Sequence, residues 1–242
     1  MPVGVQVSLL AFYNKIMKKL LLALSVFTIL PSIVLAKEAE IKGYKTMDSL
    51  GCMLLEECTD KVEQFHHWSQ LVELYPAAWN TTNASSEQIE EVTELLEAFK
   101  IAGVKVYFAP GKYFPVRHRG VYHTVSNKFY LNRSYMDLPS VLLSVMRHEG
   151  WHAAQDCMAG TIDNSFIALI KPEDEVPAFW REMVERTYPA AAVVWEAEAT
   201  WAGKTKGMTV DALEACSSGA MWDIYPPTPL TKKYLIDEGF IK

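Results

Sequence analysis

Residues 148–152 read His-Glu-Gly-Trp-His. On a helix, positions four apart share a face, so His148 and His152 can offer two imidazoles to one metal ion while Glu149 lies beside it. A catalytic zinc takes three protein ligands and keeps a fourth position open for water. The metal makes that water acidic enough to attack at neutral pH, and an adjacent carboxylate can take its proton and pass it to a leaving amine. The spacing therefore points to zinc-dependent hydrolysis: Zn2+ as cofactor, His148 and His152 as metal ligands, and Glu149 as catalytic base and then acid.

The pentapeptide lies within an apolar run, residues 138–158, that reads as a helix with Pro139 tolerated in its first turn. Large apolar residues on almost every side predict a buried helix, which shields metal ligands. Upstream, Val62, Phe65, Leu71 and Leu74 predict a helix over residues 59–74. A second helix begins at Ser85 or Ser86, carries Ile89, Val92, Leu95, Leu96 and Phe99, and ends at Gly103. Alternation over residues 104–108 predicts a strand, and two shorter strands fit residues 121–125 and 128–131. Downstream, helices are predicted over residues 173–187, 190–204, 210–217 and 232–240. The expected class is α+β, mostly helical, with a small sheet packed on the motif helix.

No histidine follows His152, so a downstream third ligand has to be a carboxylate. Glu196 and Glu198 lie in Trp195-Glu196-Ala197-Glu198-Ala199, and two residues apart on a helix point in different directions. Only one of the pair can face the metal, and the residues alone leave both open.

With its HExxH run and this later helix, the chain resembles the gluzincin class of metallopeptidases, in which a Glu on a second helix completes the site. Within that class, the heat-shock and prenyl-protein peptidase group carries an ExxA pattern, often written E-x-E-A-D. Glu196-Ala197-Glu198-Ala199 matches its first four letters, and Thr200 stands where the Asp usually is. The resemblance implies a zincin-like domain, Glu196 as the third metal ligand, and an extended substrate paired with an edge strand that runs past the metal. Residues 121–125 or Phe129-Tyr130-Leu131 are the candidate edge. Thr200 leaves unassigned the group that steadies a ligating imidazole, for which Glu198, Asp156 and Asp163 are candidates. A donor to the developing oxyanion is also required, and Tyr188 and His123 lead His118 and Arg147.

The chain has 242 residues, 50% of them hydrophobic, which suits one domain of ordinary size. Met17 is followed by Lys18 and Lys19, then by an apolar stretch over residues 20–35 that ends in Val34-Leu35-Ala36. This reads as a secretory signal peptide within residues 1–36, with Met17 as the expected start and residues 37–242 as one zincin-like domain. A secreted or periplasmic location follows, or a membrane-anchored one if the segment is not cleaved. No later segment is apolar enough to span a bilayer. All four cysteines lie beyond the cleavage point, and the expected disulfide pairs are Cys52 with Cys58 and Cys157 with Cys216. The formal charge is -6, and it becomes -9 without residues 1–36, which argues against a nucleic-acid partner. The expected function is an exported zinc peptidase acting on peptides or proteins. The alternatives are a catalytically weak zinc-binding envelope protein and a zinc amidase acting on cell-wall peptides.

Overall fold

Alternating apolar residues build a four-stranded sheet from β1 (Glu63–Gln64), β2 (Lys105–Ala109), β3 (Gly120–His123) and β4 (Lys128–Asn132), in the order β1-β2-β4-β3. The computed structural model describes residues 50–80, 83–162 and 166–242, so the proposed signal segment lies outside the described residues. β2 and β4 run parallel, with Val106 opposite Phe129, while β1 and β3 each pair antiparallel to their neighbour. Side chains on a strand alternate between faces. Val106, Phe108, Tyr122, Phe129 and Leu131 accordingly join the main core with the helices, whereas Ala109, Val121 and Tyr130 meet Met53, Tyr113 and Phe114 in a smaller cluster.

Nine helices accompany the sheet among the described residues: α1 (Leu50–Leu55), α2 (Ser69–Leu74), α3 (Ser86–Ile101), α4 (Pro139–Met158), α5 (Ala178–Glu185), α6 (Val193–Lys204), α7 (Met208–Ser217), α8 (Met221–Ile224) and α9 (Pro229–Asp237). A capping box opens α3: the Ser85 side chain accepts from Gln88 N, and the Gln88 side chain accepts from Ser85 N. The motif helix α4 is central, packed by α3, α6, α7 and the sheet. Its C-terminal end is tied to that of α7 by the Cys157–Cys216 disulfide, and Cys52–Cys58 closes a short loop at α1, so both expected pairings form. The architecture is the α+β, zincin-like arrangement expected, with a small open sheet against the HExxH helix. No helix among the described residues is long and apolar enough to cross a membrane.

One predicted element is replaced. Residues 59–74 do not form a single helix: β1 occupies Glu63–Gln64, Phe65 N donates to Val106 O at 2.8 Å, and helix begins only at Ser69. The apolar spacing that suited a helix also lets Phe65 enter the core from an extended segment, and there the backbone finds partners on β2. Gln70 Oε1 accepts from His66 N and His67 N and turns the chain into α2. The two candidate edges also separate. β3 is an edge strand, whereas Phe129-Tyr130-Leu131 lies on β4 and is paired on both sides.

Candidate metal centre

His148 and His152 stand one turn apart on α4, with ring centroids 4.9 Å apart and ring planes at 89°. They face α6. The two helices approach closely at Gly203, where a Cβ would lie 3.1 Å from Ser144 O and 3.2 Å from His148 Cβ. This close packing brings the first turn of α6, and with it Glu196, to the histidine pair. Glu196 Oε2 lies 3.3 Å from His148 Nε2 and 3.6 Å from His152 Nε2, and one donor atom from each of the three residues falls within 4.8 Å of the others. The positive end of the α6 dipole further favours the Glu196 carboxylate.

These residues fit zinc. Four ligands at about 2.1 Å in a tetrahedron lie about 3.4 Å from one another, and the two Nε2–Oε2 separations of 3.3 and 3.6 Å bracket that value. Glu196 Oε2 is buried and makes no hydrogen bond among the described residues. A buried carboxylate oxygen without a donor is costly, and a cation shared with the two imidazoles would satisfy it. The charges are coupled accordingly. Burial by itself would raise the Glu196 carboxyl, but His152 and then His148 outweigh it and hold it well below the usual carboxylate range. Burial by itself would lower His152, but Glu196 foremost reverses this and lifts it to about 9.

Glu149 is buried beside the cluster, with Oε2 accepting from Tyr122 N at 2.8 Å on the outer edge of β3. Gly120 allows that approach, because a Cβ there would lie 2.6 Å from Val145 Cγ1 and 2.9 Å from Glu149 Cγ. Burial, reinforced by the Glu196 charge, raises the Glu149 carboxyl despite the opposing pull of His148 and His152 and the Tyr122 hydrogen bond. A carboxylate moved up in this way is a better proton acceptor than an exposed one.

Glu198 points away from the cluster and supports it from behind. His152 Nδ1 lies 2.8 Å from Gln155 Oε1, and Gln155 Nε2 donates to Glu198 Oε2 at 2.5 Å and to Trp195 O at 3.2 Å. Glu198 also accepts from Ile170 N at 3.1 Å and from Lys171 N. The acceptor at Nδ1 fixes the ring so that Nε2 faces the metal position. Glu198 thus acts through Gln155, a residue that sequence reasoning missed. Its spacing of three from His152 on one helix face was the available signal. Asp156 instead accepts from Tyr122 Oη at 2.9 Å, and Asp163 lies outside the described residues.

His148 and Glu149 open on a cleft of about 780 Å³, whose lining includes Tyr188, His118 and Thr200. Burial, then the charges of Glu196 and Glu149, push the Tyr188 phenol up, so it keeps its proton through the neutral range and remains a donor. His123 is placed elsewhere: its Nδ1 is 2.6 Å from Ser126 Oγ at the far end of β3, and it does not line the cleft. Arg147 turns to the opposite side of α4 and binds Glu91 of α3 at 2.6 Å.

Two imidazoles, a distant glutamate and a buried carboxylate next to the first imidazole make a gluzincin-type zinc-peptidase site, with His148, His152 and Glu196 as the metal-ligand cluster. No protein-family model matches the chain, nor does any curated protein or solved structure.

Proposed function

We propose that this chain is an exported peptidase that cleaves peptides or proteins in the cell envelope or outside the cell. The observation that carries the reading is the convergence of His148, His152 and Glu196 beside buried Glu149, with His148 and Glu149 lining an open cleft. Zinc held by those three residues would lower the pKa of water and polarise the scissile carbonyl.

The residues of the chain perform the rest. β3 offers an edge along which an extended substrate backbone can be laid. Glu149 takes a proton from the attacking water as the new carbon–oxygen bond forms, and returns it to the amide nitrogen as the carbon–nitrogen bond breaks. Protonated Tyr188, at the cleft wall beside Glu196, donates to the carbonyl oxygen as charge gathers there. The Gln155–Glu198 pair supplies the support that Thr200 does not, which favours turnover over a merely zinc-binding role. Two disulfides among the described residues support export, since such bonds persist in oxidising compartments.

The test is metal content by elemental analysis together with casein hydrolysis by the wild type and Glu149→Gln. One zinc per chain in both proteins, with hydrolysis lost in the variant by at least about 100-fold, is the expected result. Wild-type protein that holds zinc yet hydrolyses no peptide would overturn the proposal.

A further inference from the structure

The walls of the cleft carry a charge that the hydrolytic chemistry does not use. Arg117 and Arg119 line it on the segment leading into β3, and Arg186 and Lys204 line it from the helical side. Among the described residues, Glu149 is the only acidic one in the lining. None of the four cations forms a salt bridge among the described residues. The Arg119 guanidinium lies over the Tyr135 ring at 5.6 Å, a contact that steadies it without neutralising it. Arg117 sits at φ 72, in the left-handed region that non-glycine residues seldom adopt, within a turn closed by His118 N to Pro115 O at 3.0 Å. The strained turn sets an arginine at the rim of the cleft.

In a chain of net charge -6, four unpaired cations around one catalytic carboxylate are a local reversal of sign. A cleft with low-dielectric walls focuses such a field and concentrates ligands of opposite charge. Arginine also matches carboxylate in shape as well as charge. Resting on the peptidase reading above, the geometry points to peptides bearing Asp or Glu on both sides of the scissile bond as the preferred substrates. The residues before β3 take the acidic side chains on one side, and Arg186 with Lys204 takes those on the other.

The test uses the zinc-loaded full chain and three fluorogenic peptides of one length, in which the positions flanking the cleaved bond are Asp/Glu, Asn/Gln or Lys. At low salt kcat/KM falls about tenfold from the acidic to the neutral peptide and further for the basic one, and the gap narrows as salt shortens the screening length. Arg117→Gln or Arg186→Gln lowers kcat/KM for the acidic peptide about twofold to fivefold through KM, and the double variant brings the acidic-to-neutral ratio close to one. Lys232→Gln, outside the cleft, leaves the ratio unchanged. A second readout is the anisotropy of labelled acidic and neutral peptides titrated with Glu149→Gln protein, where the acidic peptide binds more tightly by the same factor. Equal kcat/KM for the acidic and neutral peptides, or equal binding, overturns the charge preference. Tighter binding of the acidic peptide with no cleavage of any peptide by the wild type keeps the preference and overturns the peptidase reading.

Discussion

Replacing Glu198 by alanine separates a metal ligand from the support behind one. Glu198 is fully buried and accepts from Gln155 Nε2, Ile170 N and Lys171 N, so the alanine variant strands the Ile170 and Lys171 amides and one N–H of Gln155, whose bond to Trp195 O remains. Each stranded donor costs about 1–3 kcal/mol. Relief from burying a carboxylate, whose desolvation raises its pKa, offsets part of that sum, as does water entering the vacated space. A net loss of about 3–5 kcal/mol remains, or a fall of about 10 °C in Tm for a domain of this size. With Gln155 held only through Trp195 O, its grip on His152 loosens, and zinc affinity drops by about 10–100-fold. Glu196→Ala removes a member of the cluster itself, so zinc is lost from the site outright, and chelator-treated protein also loses the stability below neutral pH that the His152–Glu196 pair provides. Thermal melts in EDTA and zinc competition against a chromophoric chelator measure the two quantities. Loss of zinc in Glu198→Ala at unchanged metal-free stability would show that Glu198 is itself the ligand and refute the assignment.

Removing the long-range disulfide with Cys157→Ser and Cys216→Ser frees a loop of 59 residues' separation; loop-closure entropy sets the loss at about 4 kcal/mol, read by urea unfolding. Gly203→Ala presses a Cβ against Ser144 O and His148 Cβ and shifts α4 against α6 there, so zinc affinity should fall more steeply than Tm does in EDTA. In metal-free protein, His152 has its pKa raised from 6.5 to about 9, and a raised group stabilises the fold fully below its unfolded pKa. The Tm of chelator-treated protein should therefore decline as pH rises from about 6.5 to about 9, whereas the extra stability given by zinc should grow over that range because zinc requires neutral imidazole. Melts across that window, with and without metal, check both slopes.

How far the sequence carries depends on the distance along the chain over which each feature is decided. The pairing of His148 and His152 on one face follows from helix geometry over four residues, and the apolar surround of α4 already marked it as buried. The Ser85 cap and the β2 alternation are equally local. Residues 59–74 read wrongly because short apolar runs fit two periods, and a distant strand, β2, supplied the backbone partners that favoured extension. The choice between Glu196 and Glu198 was open in the residues themselves, since both lie on α6 and only the approach of that helix to α4 decides which carboxylate meets the imidazoles. Gln155 as the His152 partner and the cationic walls of the cleft likewise arise from segments far apart in sequence that packing brings together. Local spacing settled the histidine pair and the carboxylate beside it, while the third member of the cluster, the support behind His152 and the surrounding charge exist only once tertiary packing has closed the gaps between helices that no short-range pattern encodes.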